Sequence, residues 1–121
     1  MEKQILLMPD YGCWPLWIID SILENVDPSK YISNNSLLDE INAWSDIYTN
    51  IDPQSEIESD YAWEIQGVSL AQRIFNTNNT NNTKYIVNFH SNILHKRSSN
   101  LDELLRELME KSHSNILHKR S

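Results

Sequence analysis

The residues of this 121-residue chain that could do chemistry are few, and their spacing argues against catalysis. Its four histidines form two pairs, His90 with His95 and His113 with His118. That spacing places two imidazoles on different sides of a helix, and no cysteine or carboxylate recurs with them, so a metal site is not expected. The single cysteine, Cys13, lies between Gly12 and Trp14 with no histidine near it in sequence. A buried structural thiol explains it more simply than a nucleophile does. Glu56, Glu58, Asp60 and Glu64 are clustered closely enough to suggest paired-carboxylate acid–base work. They also fall in the first turns of an expected helix, where the dipole favours acids, and that accounts for them without catalysis. Phosphate loops, nucleophile elbows and zinc motifs are missing from the sequence. We expect a protein that is not an enzyme and needs no cofactor or metal.

Charge is the stronger signal. Residues 1–89 carry 13 acidic and four basic side chains, a net of −9, whereas residues 90–121 carry six basic and four acidic ones and all four histidines. An acidic body repels phosphates, so nucleic acid is not an expected partner. It steers a basic protein instead, although acidity can also serve solubility alone. A lone cysteine forms no internal disulfide, which points to a reducing compartment. Apolar runs such as Leu16–Ile19 are too short to span a bilayer, and Met1-Glu2-Lys3-Gln4 has no signal-peptide character. A cytoplasmic location without a membrane is the expectation.

The elements that must present any binding surface are organised around residues 8–20. Asp10-Tyr11-Gly12 forms a turn, because Asp bonds its own backbone and Gly accepts positive φ. Pro15 pushes Trp14 into extended conformation. Trp14 and Trp17 are large rings expected in the core, with a stacking pocket for a ligand as the alternative. Gln4–Met8 is a buried strand stopped by Pro9, and Leu16–Ile19 is either a second strand or part of a helix over residues 15–23. Asp27-Pro28 and Asp52-Pro53 are turn or helix-start signals.

A helix follows from Ser36, taken as its cap, to Tyr48. Leu37, Ile41, Trp44, Tyr48 and Ile51 make its apolar stripe, with Asp39, Asn42 and Asp46 opposite. The next helix is expected from Ser55, boxed by Glu58, to Phe75. Its Ile57, Tyr61, Ile65, Val68 and Phe75 form one apolar face, and Trp63, Gly67, Leu70 and Ile74 a second. A glycine inside a helix costs about 1 kcal/mol relative to alanine, so Gly67 implies close approach of another element. Residues 76–83 are a polar loop, and Tyr85–Phe89 is a strand expected to pair with residues 4–8.

Nine residues, His90 to Ser98, recur letter for letter as His113 to Ser121. Two copies are too few for a solenoid, so a duplicated extension is the simplest account. Between them Asn100 can cap a short helix with Leu101, Leu104, Leu105 and Leu108 on one stripe. The expected architecture is α+β: a small two- to three-stranded sheet, two main helices on one face, and a short C-terminal helix. Residues 1–89 form the acidic core domain, and residues 90–121 a tail not needed for folding.

Pro9-Asp10-Tyr11-Gly12 with Pro15-Leu16-Trp17, then Leu38 through Trp44 to Tyr48, Gly67-Val68-Ser69-Leu70-Ala71-Gln72-Arg73 and the strand at 85–89 carry a resemblance. Over residues 4–89 the chain is similar to small acidic bacterial immunity proteins of contact-dependent growth-inhibition and polymorphic toxin systems. The resemblance implies a protein that neutralises a cognate basic toxin domain, commonly a nuclease. Asp39, Asp46, Glu56, Asp60 and Glu64 would supply the charge of that partner-binding surface, and Trp63 an aromatic contact. The alternative is a non-catalytic adaptor that self-associates, for example as a homodimer, through the second face of the long helix and the leucine tail.

If Trp44 belongs to a core stripe, Trp44→Ala costs about 3–5 kcal/mol through the cavity it leaves. Denaturant unfolding reads this directly, and an unchanged midpoint would remove Trp44 from the core.

Overall fold

The computed structural model describes residues 2–49, 61–78 and 84–120. Strand β1 (Glu2–Leu7) is central. It pairs antiparallel with β2 (Leu16–Ile19), which pairs antiparallel with β3 (Leu23–Val26). On its other side β1 runs parallel to β4 (Lys84–Ser91), and β4 pairs antiparallel with β5 (Lys96–Ser98). The result is a five-stranded mixed sheet in the order β3-β2-β1-β4-β5. The expected pairing of the two apolar strands is present, with Ile5 opposite Val87 and Leu7 opposite Phe89.

A sheet of two or three strands was too small an expectation. Strand β3 contains Glu24 and Asn25, and β5 is Lys96-Arg97-Ser98. Such short polar segments have no strand signal of their own, and an adjacent ladder makes them strands. Residues 16–19 are a strand rather than the start of a helix, because β2 is bonded on both edges.

The helices cover one face of this sheet. Ile5, Leu7, Leu16, Val26, Val87 and Phe89 alternate toward that face and share one core with residues of all three helices. Leu6 and Asn88, paired in register, project the other way. Asp27 caps a single 3-10 turn, Pro28–Lys30, by accepting a hydrogen bond from the Ser29 N–H. Helix α1 (Asn35–Thr49) then starts from Asn34 rather than Ser36: the Asn34 side chain accepts from the Leu37 N–H at 3.0 Å. Leu37, Ile41 and Trp44 are fully buried, as their spacing implied.

Helix α2 (Tyr61–Asn78) packs on β4, α1 and α3, so both of its apolar faces are used. Ile51 of the expected stripe, the expected start at Ser55, the Asp52-Pro53 signal and residues 79–83 lie outside the described residues. At the other end the helix continues through Asn76 and Thr77, where a loop was expected, and the Thr77 hydroxyl donates to the Arg73 carbonyl at 2.8 Å. Phe75, assigned to an apolar face by spacing, is 47% exposed. A Cβ on Gly67 would lie 2.5 Å from Trp44 Cζ2 and 2.6 Å from Phe89 Cε1, distances that real side chains do not tolerate. The glycine is there because two rings occupy its surface.

The expected boundary near Phe89 falls inside β4, and the chain beyond it enters the same core. Helix α3 (Leu101–Arg120) is 20 residues long instead of short. Asn100 caps it, accepting from the Glu103 N–H at 3.3 Å and donating to the Glu103 carboxylate at 3.0 Å. Ile93, Leu101, Leu104 and Leu108 are buried among residues of the acidic body. The repeated segment meanwhile takes two conformations. Its first copy is the end of β4, a turn and β5, whereas His113–Arg120 is helix.

Truncation after Asn92 deletes those four buried side chains. Each Leu or Ile removed from a core costs about 2–5 kcal/mol, against a typical total stability of about 5–15 kcal/mol. The shortened chain is therefore expected to lose cooperative thermal unfolding, followed by circular dichroism. A parental melting midpoint would place α3 outside the cooperative unit.

Candidate partner-binding site

The loop between β1 and β2 is built by its own polar groups. Asp10 Oδ1 accepts from the Tyr11 N–H at 2.8 Å, the Cys13 N–H donates to the Asp10 carbonyl at 3.2 Å, and Gly12 takes φ +73°. The Met8 N–H donates to the Pro15 carbonyl at 2.9 Å, closing the loop. From β3, Asn25 reaches across: it accepts from the Trp14 N–H at 3.0 Å and donates to the Trp14 carbonyl at 2.7 Å and the Leu16 carbonyl at 3.2 Å. The backbone of Trp14 is thus pinned while its side chain remains 51% exposed. Trp14 is not in the core as its size suggested. Trp17 is half-buried, its indole donating to the Met8 carbonyl at 2.8 Å.

Between this loop and α1 lies an open cleft of about 590 Å³. Gly12, Cys13, Trp14 and Pro15 form one wall, Asn42, Ser45 and Asp46 the other, and Asn25 also lines it. Cys13 is half-buried here rather than sealed in the core.

A chain of rings ties the loop to the interior. Phe89 and Trp44 have centroids 6.1 Å apart, Trp44 and Trp63 stack at 4.4 Å, Trp63 and Tyr48 at 5.6 Å, and Tyr48 meets Tyr11 at 5.1 Å. Burial pushes the Tyr48 hydroxyl above its ordinary pKa, and Tyr11 and Asp10 add to the rise. A smaller recess of about 210 Å³ lies beside this stack, lined by Met8, Pro9, Asp10, Tyr48, Trp63, His90 and Asn92.

The six residues expected to meet a partner are not equivalent. Asp39 and Asp46 are exposed on α1, and Asp46 lines the cleft. Glu56 and Asp60 lie outside the described residues. Trp63 is 7% exposed and Glu64 only 1%. The Glu64 carboxylate accepts from the Ser91 hydroxyl at 2.6 Å, the Asn92 N–H at 2.9 Å and the Ile93 N–H at 3.2 Å. It organises the turn after β4 and is not on a surface that a partner reaches. Helical spacing alone could not say this, because α2 is covered on two sides. Trp14, Tyr11 and Asn25 gave only an indirect sign of the cleft, a tryptophan set between a turn glycine and a proline. Among the described residues no group of three or more His, Cys, Asp and Glu could hold a metal ion. Nor is any helix among them long and apolar enough to cross a membrane.

The chain belongs to the Serratia CdiI immunity protein-like family, which it matches over residues 3–92. The match extends from β1 into the turn held by Glu64, and so contains the loop, α1 and the cleft. Its class is that of toxin-neutralising immunity proteins. No individual curated protein matches the chain.

Burial raises the Glu64 pKa above its ordinary 4.5, outweighing the three hydrogen bonds and nearby His90, which lower it. In the window just above 4.5 the folded state therefore binds more protons at this site than the unfolded state, and stability falls as pH rises through the folded value. Glu64→Gln is expected to flatten that part of the stability profile. Urea unfolding of both chains across this pH range tests it, and parallel profiles would show that Glu64 does not contribute.

Proposed function

We propose that this protein is the antidote to a contact-dependent growth-inhibition toxin, binding the toxin domain one to one in the cytoplasm of the producing cell without catalysis. The toxin is a basic nuclease. A nuclease holds phosphates in a cationic groove, and a carboxylate-bearing surface competes for that groove. The observation that carries the reading is the net −9 of residues 1–89, with Asp39 and Asp46 exposed on α1 in a chain of the immunity family. Glu56 and Asp60 belong to the same acidic surface in this proposal. The adaptor alternative is weakened, because Leu70, Ile74, Leu101, Leu104 and Leu108, which self-association would use, are buried within the chain.

The test is co-expression with nuclease domains of contact-dependent growth-inhibition toxins, combined with binding kinetics at two salt concentrations against the one that the chain neutralises. The chain is expected to protect cells, and its on-rate to fall as salt rises. Replacing Asp39 and Asp46 together by Lys is expected to lower the on-rate about tenfold while leaving the circular dichroism spectrum intact. A parent chain that neither binds nor protects would overturn the proposal.

A further inference from the structure

The cleft between the β1–β2 loop and α1 has a composition that selects its occupant. Its walls present the half-exposed Trp14, the buried Pro15, the polar Asn25, Asn42 and Ser45, and one charged group, Asp46. None of its lining residues is cationic. At about 590 Å³ it has room for an extended side chain together with some of the backbone that carries it. The Asn25 side chain accepts from the Trp14 N–H and donates to the Trp14 and Leu16 carbonyls, so the loop is organised before any partner arrives. Tyr11 packing on Tyr48 links the same loop to the rings of the core. Trp14 is thus a tryptophan kept half in water on a braced loop. Such rings, when a partner covers them, carry a disproportionate share of binding energy, because little ordering remains to be done.

We propose that this cleft receives an arginine side chain of the toxin, its aliphatic stem and guanidinium plane against Trp14 and its head against Asp46. Arginine fits better than lysine. Its planar, weakly hydrated cation stacks on indole and can bond a carboxylate through two N–H groups at once, whereas an ammonium is a strongly hydrated point charge. The site rests on the toxin-neutralising reading and narrows it: broad acidity steers the encounter, and the cleft holds the complex. Steering acts on the on-rate, and a seated anchor acts on the off-rate.

The experiment uses the full chain and the toxin nuclease domain that it neutralises in co-expression, with surface-binding kinetics of Trp14→Ala, Trp14→Phe, Asp46→Asn and the double variant Trp14→Ala/Asp46→Asn. Asp20→Lys, at the far end of β2 from Trp14, controls for general charge. Circular dichroism and melting midpoints establish that each variant folds. Because Trp14 is half exposed, its replacement is expected to leave the fold in place, and Asp46→Asn tests the same cleft independently. The expected result is a rise in Kd of about 30-fold for Trp14→Ala, chiefly through the off-rate, and of less than about fivefold for Trp14→Phe, which retains a ring. Asp46→Asn is expected to weaken binding about tenfold, and the double variant less than the product of the single effects, because one guanidinium meets both groups. Arginine-to-alanine variants of the toxin should include one whose effect vanishes in the Trp14→Ala background. Folded Trp14→Ala and Asp46→Asn chains that bind like the parent, or the absence of any such coupled arginine, would overturn the cleft proposal while leaving the immunity reading standing. A parent chain that does not bind the toxin at all would overturn both.

Discussion

The pairing of Trp44 and Trp63 fixes how α1 meets α2, and most of the molecule follows from it. The two indoles are nearly parallel, 8° apart in plane, and each donates its ring N–H to the backbone carbonyl of the other, at 2.8 and 3.0 Å. Buried indoles need such acceptors, because an unpaired N–H in an apolar interior costs about 1–3 kcal/mol. Satisfying both at once leaves little freedom in the separation or rotation of the helices. Gly67 allows Trp44 and Phe89 to approach the α2 backbone, so the same stack also sets the distance from α2 to β4. An exposed ion pair, Arg73 with Glu40, lies between the same helices, but solvent screening makes it minor by comparison.

From that stack the architecture extends in two directions. Toward the surface, Tyr48 and then Tyr11 continue the series of rings, and the β1–β2 loop rests on the end of it. A candidate binding loop held in this way contrasts with the mobile loops on which many binding residues sit. Toward the C-terminus, Glu64 follows Trp63 directly on α2 and grips the turn after β4. That buried carboxylate accepts three hydrogen bonds, which offset its desolvation only in part, since its pKa remains raised. Adjacent residues of one helix therefore brace the candidate binding face and anchor the segment that leads to α3.

The position of α3 bears on how the chain should be divided. The family match ends at Asn92, yet Leu101, Leu104 and Leu108 fill the same core as Leu37 and Ile41. Composition changes near Phe89, from strongly acidic to mildly basic, but packing does not. Lys96 of β5 pairs with Glu107 of α3 at 2.6 Å, so the basic residues of this region are partly neutralised by its own acids. Charge and core define different boundaries here, because charge is a property of the surface and cooperativity a property of the interior.

The sequence by itself determined the apolar strands 4–8 and 85–89, the stripe of α1, the need for close packing at Gly67 and the acidic balance. All of these rest on periodicity, glycine stereochemistry or counting, and none needs a partner in space. Tertiary structure decided what depends on neighbours: that Trp14 stands in water while Trp63 is covered, that Glu64 turns inward while Asp46 faces out, and that β3 and β5 are strands at all. The repeat makes the reason plain. His90-Ser91-Asn92-Ile93-Leu94-His95-Lys96-Arg97 ends a strand, turns and pairs again, with His95 at φ +53°, yet the same eight letters at 113–120 continue a helix. Local preference in such a segment is too weak to choose. At the first copy β4 and the Glu64 carboxylate lie within reach, and at the second the segment follows the preceding turns of α3 as helix.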